Sequence, residues 1–159
     1  MYTIITGDEG ETMLLGEKLG LAVTFPCVII LTGGLGAGKT TFMRGLGRGM
    51  EVVEDISSPS FTILSVHQGR MEVYHFDFYR LTGLEELWDL DLDEYFYGEG
   101  VSVVEWGDKF PSLLPPAYLE VNLALVPGRY NQRVLTFNPR GNYAETLVRE
   151  MRNHAGFGD

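Results

Sequence analysis

Eight consecutive residues, Gly33-Gly34-Leu35-Gly36-Ala37-Gly38-Lys39-Thr40, satisfy the pattern GxxxxGK[ST] without a mismatch. The pattern constrains the fold because it works in one setting, with a buried strand before it and the first turn of a helix after it. Both flanks comply. Cys27-Val28-Ile29-Ile30-Leu31 is short, apolar and rich in β-branched residues, while Phe42, Met43 and Leu46 recur at helical spacing. The glycines let the loop wrap a phosphate chain with bare backbone N–H groups, and the helix N-terminus directs its positive end at the same point. The chain has only three lysines, Lys18, Lys39 and Lys109, and one of them falls at the required position. The spacing predicts a nucleoside triphosphate site in which Lys39 reaches the β- and γ-phosphates and the Thr40 hydroxyl ligates Mg²⁺.

A length of 159 residues predicts one domain, 1–159, large enough to bury a proper core. No run approaches the roughly 18 apolar residues needed to cross a bilayer. The N-terminus, Met1-Tyr2-Thr3-Ile4-Ile5-Thr6, has neither a basic region nor a long apolar one, so the expectation is a cytoplasmic protein without a signal peptide or membrane contact. Cys27 has no second cysteine to pair with and reads as a small core residue. Net charge is −10 and the isoelectric point about 4.7, which argues against a chain that binds nucleic acid by itself. From Gly83 to Glu105 there are eight acids and no Lys or Arg. That stretch is either a solvated acidic face or a docking surface for a basic partner.

Along the chain, residues 2–5 read as a strand. Thr6-Gly7-Asp8-Glu9 reads as a capping box, with Thr6 as N-cap of a helix ending around Gly20. Gly45, Gly47 and Gly49 predict fraying of the helix after the glycine loop. Phe61 to His67 and Met71 to Asp77, joined through Gly69, read as an antiparallel hairpin, and Leu84, Leu87 and Trp88 as a helical stripe. Val101-Ser102-Val103-Val104 is another buried strand. Tyr118 to Val126 and Gln132 to Phe137 form a second hairpin around Pro127-Gly128, and Tyr143 to His154 a closing helix with Leu147, Val148 and Met151 inward. The fold class is α/β, a three-layer P-loop NTPase whose mixed parallel and antiparallel sheet is flanked by helices.

A P-loop needs an acid at the end of a nearby strand. Asp77 follows Val73-Tyr74-His75-Phe76 and Glu105 follows Val101 to Val104, and both strands are expected to flank the P-loop strand. His75 reads as a base, a switch residue or a hydrogen-bonded strand histidine. Ser58-Pro59-Ser60-Phe61-Thr62 reads as a switch loop or a plain turn, and Arg80, Arg129 and Arg133 are candidates for charge stabilisation.

In that order, Gly34 to Thr41, Ser58 to Thr62, His75-Phe76-Asp77-Phe78-Tyr79-Arg80-Leu81 and Val104-Glu105-Trp106 closely resemble the bacterial TsaE (YjeE) family, and the likeness runs from Thr12 to the last hairpin. The resemblance implies a small ATPase of tRNA threonylcarbamoyladenosine formation, acting with TsaD-like and TsaB-like proteins and meeting tRNA only through that complex. It implies ATP and Mg²⁺ as cofactors, with Gly34, Leu35, Gly36, Ala37, Gly38, Lys39, Thr40 and Thr41 around the phosphates. Thr40 and Glu105 would hold the metal, and Asp77 would lie near the γ-phosphate and the attacking water. Lys39, Asp77 and Glu105 would form the catalytic group. Trp106 and Thr12 would sit near the nucleotide, with Arg133, or its rival Arg129, touching it. One departure stands out: the family commonly has Asp where this chain has Gly34, so any contact made by that Asp is missing here. Two other readings fit the residues, a P-loop small-molecule kinase and a nucleotide-dependent scaffold without catalysis. A GTPase would need an Asn-Lys-x-Asp motif that the chain lacks.

Overall fold

The computed structural model describes residues 1–57 and 62–155. Most of the Ser58–Thr62 segment, all but Thr62, lies outside them. The elements are β1 (Tyr2–Thr6), α1 (Glu9–Ala22), β2 (Cys27–Thr32), α2 (Lys39–Gly49), β3 (Leu64–Gln68), β4 (Glu72–Asp77), α3 (Leu92–Phe96), β5 (Val101–Glu105), β6 (Tyr118–Val126), β7 (Arg129–Arg140) and α4 (Asn142–Ala155). Short 3₁₀ turns occupy Leu84–Leu87, Gly107–Lys109 and Pro111–Leu113.

The strands form one seven-stranded sheet in the order β1-β7-β6-β2-β5-β4-β3. Its interior is parallel, with β6 and β5 on either side of β2 and β4 beyond β5. Both expected hairpins are present and antiparallel, β3 with β4 and β6 with β7, and β1 closes the other edge against β7. The P-loop strand β2 is thus the middle strand, buried along its whole length. Its alternate side chains serve two cores, as a pleated strand covered on both faces must. Ile29 and Leu31 pack with Leu15, Leu19, Phe42, Leu46 and Leu147 of α1, α2 and α4, whereas Val28 and Ile30 join Phe76, Leu87, Leu92 and Phe96 on the opposite face. These are the three layers of the mixed-sheet P-loop fold. Cys27 is buried in the first core, where loss of hydration pushes its thiol pKa up to about 12 and leaves it inert.

Four local expectations are corrected. The N-cap of α1 is Asp8, not Thr6: its carboxylate accepts the Glu11 N–H at 2.8 Å, and Gly7 N–H donates to the Glu11 side chain. Thr6 is still in β1, paired with Arg133, and its hydroxyl is used by Thr12 at 2.6 Å. The Leu84–Trp88 stripe is only a 3₁₀ turn with Leu87 buried, and Trp88 is 80% exposed. The strand bearing Asp77 does not flank the P-loop strand. It pairs with β5, which stands between them.

The last correction concerns the glycines of α2. They do not fray the helix; they let it lie against α1. A Cβ at Gly45 would stand 1.9 Å from the Met13 carbonyl oxygen, and one at Gly16 would stand 2.3 Å from the Phe42 oxygen. Backbone carbonyls cannot rotate aside, so a side chain there separates the helices. Arg70, in the β3–β4 turn, locks the same pair by donating to Gly20 O of α1, to Val23 O at its C-cap and to Gly49 O of α2, at 2.7–3.1 Å. Overpacking of this kind costs about 1–3 kcal/mol. At about 2–4 °C per kcal/mol for a chain of this size, Gly45→Ala is expected to lower Tm by roughly 2–12 °C. Gly34→Ala, where a Cβ meets nothing within 4 Å, should leave it unchanged. Equal melting of the two variants in a circular-dichroism scan would contradict the close crossing.

Candidate nucleotide site

At the carboxyl ends of β2, β4 and β5 the sheet opens into a cleft of about 680 Å³. Thr12, Leu35, Gly36, Ala37, Gly38, Lys39, Thr40, Thr41, Asp77, Glu105, Trp106 and Arg133 all line it. Among the residues expected at the site, Gly34 is absent from the wall and Arg129 lies exposed at the start of β7.

The loop has the backbone its glycines allow. Gly33, Gly36 and Gly38 take φ values of 136°, 75° and 104°, and Gly38, in the left-handed region, is the residue before the first turn of α2. A side chain at Gly38 would be strained, and Gly38 offers none to cap the helix, so no side-chain cap occupies the first-turn amides of α2, whose residues Lys39, Thr40 and Thr41 line the cleft. Gly34 is different. It has room for a side chain, so its departure from the family's usual Asp has no steric cause.

Lys39 is only 6% exposed. Its ammonium donates to Gly33 O at 2.6 Å and Gly34 O at 2.8 Å and sits 4.3 Å from the centre of the Trp106 ring. Burial pulls its pKa below the ordinary lysine value, opposed by the negative fields of Glu105, Asp77 and Asp108. The ammonium is therefore folded onto the loop. An incoming phosphate must take it from two carbonyls, an exchange of dipole partners for a charged one.

Glu105 ends β5 directly beside β2, opposite Leu31, and is 3% exposed. Its Oε2 lies 2.6 Å from His75 Nε2, while its other oxygen makes no hydrogen bond among the described residues. Asp77 stands level with Glu105 on β4, and its Oδ1 accepts the Tyr79 N–H at 2.9 Å. No cluster of three His, Cys, Asp or Glu side chains suited to a metal occurs among the described residues. A hydroxyl and one or two carboxylate oxygens nevertheless fit Mg²⁺, which keeps water and phosphate oxygens for the rest of its shell. Thr40 and Glu105 are such a donor set.

Trp106 takes a left-handed backbone, φ 62°, rare and costly for a bulky residue. That turn places its ring over Lys39 and 5.0 Å from Tyr79. His75 is fully buried and outside the cleft wall, so it is the hydrogen-bonded strand histidine and not a general base. Arg133 is a brace. Its guanidinium donates to Ala37 O at 3.0 Å, to Gly36 O at 3.3 Å and to the Tyr130 and Gln132 carbonyls, holding the loop carbonyls outward while its edge faces the cleft. Thr12 is 1% exposed and ties α1 to β1 through Thr6.

The cleft also has walls that motif reading passes over. Glu9 accepts the Thr41 hydroxyl at 3.1 Å, and Asn131 and Tyr79 add polar edges. Tyr79 lies inside the His75–Leu81 run, Glu9 carried only a helix-capping signal, and Asn131 carried none.

The sequence model of the family described as Threonylcarbamoyl adenosine biosynthesis protein TsaE matches residues 6–133. The chain belongs to the TsaE family. A Treponema pallidum protein named tRNA threonylcarbamoyladenosine biosynthesis protein TsaE is 40% identical over 122 residues, covering 77% of this chain and 90% of the relative. A Bacillus subtilis protein of the same name is 39% identical over 128 residues, covering 80% and 78%. The crystal structure of Bacillus subtilis YdiB superposes with a TM-score of 0.78 at 35% identity over 97% of this chain and 95% of that one. The cleft is thus seen on a TsaE scaffold, at the place where an α/β sheet presents its strand ends to ligands.

Proposed function

We propose that this chain is the ATP-binding and ATP-hydrolysing subunit of tRNA threonylcarbamoyladenosine biosynthesis, working with TsaD-like and TsaB-like partners. One observation carries the reading: in a TsaE-family chain, Lys39 and Thr40 of α2, Asp77 of β4 and Glu105 of β5 converge on one cleft from three separate elements. Loop amides and Lys39 bind the phosphates. Thr40 and Glu105 hold Mg²⁺, which when bound neutralises charge on the phosphate oxygens. Asp77 orients the attacking water and takes its proton, and Trp106 keeps Lys39 at the base of the cleft. Arg133 keeps the loop amides facing inward.

Partner dependence follows from the surface. Seven of the eight acids between Gly83 and Glu105 are exposed, and Trp88 stands among them; Glu105 alone is buried. Such a face repels tRNA phosphates and suits a basic protein surface. ATP turnover by the isolated chain is expected to be slow. It should rise at least about tenfold with the partner proteins, as P-loop hydrolases do when a charge arrives in trans. Association should be stronger with ATP than with ADP and weaken as salt rises. A phosphate-release assay and a pull-down across nucleotide and salt check this. Tight tRNA binding by the isolated chain with nucleotide-independent partner binding, or phosphoryl transfer to a small acceptor, would overturn it.

A further inference from the structure

We propose that His75 is a positioning residue for Glu105, and that His67 and Glu54 extend its support to the protein surface. The inference rests on the reading that Glu105 faces a divalent cation. It begins with register. On the parallel pair β4 and β5, His75 is level with Val103 and Asp77 with Glu105, so His75 and Glu105 share a face two positions apart. From there His75 Nε2 reaches Glu105 Oε2 at 2.6 Å, with the imidazole wholly buried and the carboxylate 3% exposed.

A carboxylate only accepts, so Nε2–H donates, and Oε2 is pinned. The other oxygen is left as the one presented to a cation. Support of this kind normally fixes a metal-binding carboxylate, and its loss costs metal affinity without touching the ligand itself.

The ring is in turn held from the next strand. On β3, Ser65 is level with His75 and His67 with Val73, which puts the two imidazoles on a diagonal with centres 6.3 Å apart and planes at 40°. His67 Nδ1 meets Glu54 Oε1 at 2.6 Å, and the Glu54 side chain is 56% exposed. Each ring therefore has one nitrogen on a carboxylate. The other two, His67 Nε2 and His75 Nδ1, are buried with no hydrogen-bond partner among the described residues. A fold that only filled space here would gain from apolar side chains, since unpartnered buried nitrogens are costly. Two histidines at these positions make sense if the useful nitrogens are those facing the carboxylates. The line also reaches a segment tied to the P-loop helix, because Ile56 O accepts Arg44 Nε at 3.0 Å. Glu54 and Ile56 thus connect the approach to residue 58 with both the metal-side carboxylate and α2.

The test uses Mn²⁺ as a spectroscopic stand-in for Mg²⁺, titrated by electron paramagnetic resonance into the full chain loaded with ADP. Nucleotide affinity is measured separately in EDTA. Glu105→Gln is the reference for losing the ligand. His75→Met is expected to weaken Mn²⁺ binding by about 10–100-fold, the usual effect of removing such support, with nucleotide affinity in EDTA unchanged. His75→Gln, whose amide nitrogen can replace Nε2–H, should restore binding to within about threefold, and Glu54→Ala should cost about two- to threefold. Parent-like Mn²⁺ affinity in His75→Met, with Glu105→Gln impaired, would overturn the inference and leave the metal site standing. Parent-like affinity in Glu105→Gln would instead remove the reading beneath it. A parallel loss of nucleotide affinity in EDTA would mean a merely structural histidine. Where His75→Met fails to fold, Glu54→Ala and His67→Phe decide, and parent affinity in both refutes the proposal.

Discussion

Lys39→Ala is expected to reduce ATP turnover by about 10²–10³-fold, the effect of deleting one preorganised group that faces developing charge. It should also abolish measurable ATP binding by calorimetry. The physical reason is specific to where the ammonium sits. It is held between two loop carbonyls and the Trp106 ring, so it is already desolvated and within reach of any phosphate that enters the loop. Part of the cost of fixing and dehydrating a lysine is met before ATP arrives. Lys39→Arg should rescue little, because a planar fork cannot take the place of a compact ammonium in that gap. Stability is a separate matter. Removing Lys39 frees two carbonyls in a loop that borders the cleft, where water can reach them, so Tm should move by only a few degrees, on the order of 1 kcal/mol. Normal nucleotide affinity in a folded Lys39→Ala protein would refute the phosphate-binding role of the loop.

How much of this was legible in the sequence depends on the range of the interaction. β2, β5, the Tyr118–Arg140 hairpin and α4 are readable because burial imposes a period on neighbouring residues. The cleft residues were readable because phosphate chemistry needs particular side chains at fixed offsets from a strand end. What was misread depends on partners distant in the chain. Gly45 looks like a weak helix residue until Met13 is known to lie against it. Thr6 looks like a cap until β1 is seen to continue through it to pair with β7. The order of β2, β5 and β4 cannot be read from three apolar runs, and it is this order that separates Asp77 from the P-loop strand. Glu54 and His67 belong to no motif. His67 comes behind His75 by a diagonal across two strands, and Glu54 meets it from the segment between α2 and β3.

That strand order sets the expected difference between the two acids. Glu105 ends the strand next to β2, whereas Asp77 lies one strand further out, a step of about 4.8 Å across the sheet. On the proposed reading Glu105 is therefore the carboxylate that would share the metal with Thr40, and Asp77 the one that would face the far end of the phosphate chain. Glu105→Gln keeps the shape and removes the charge. It is expected to reduce Mg²⁺-supported turnover by about 10²–10³-fold and to raise the Mg²⁺ concentration needed for half-maximal activity. Asp77→Asn should lower kcat by about 10²-fold, the contribution of a positioned base, while the Mg²⁺ requirement and nucleotide affinity stay near the parent values. Because the two acids act on one reacting group, the double variant should lose far less than the product of the single losses. Steady-state rates across a Mg²⁺ titration, with partners present, separate the roles. If Asp77→Asn shifted the metal requirement and Glu105→Gln did not, the assignments would exchange. If both variants turned over ATP at the parent rate, the two-acid site would be wrong.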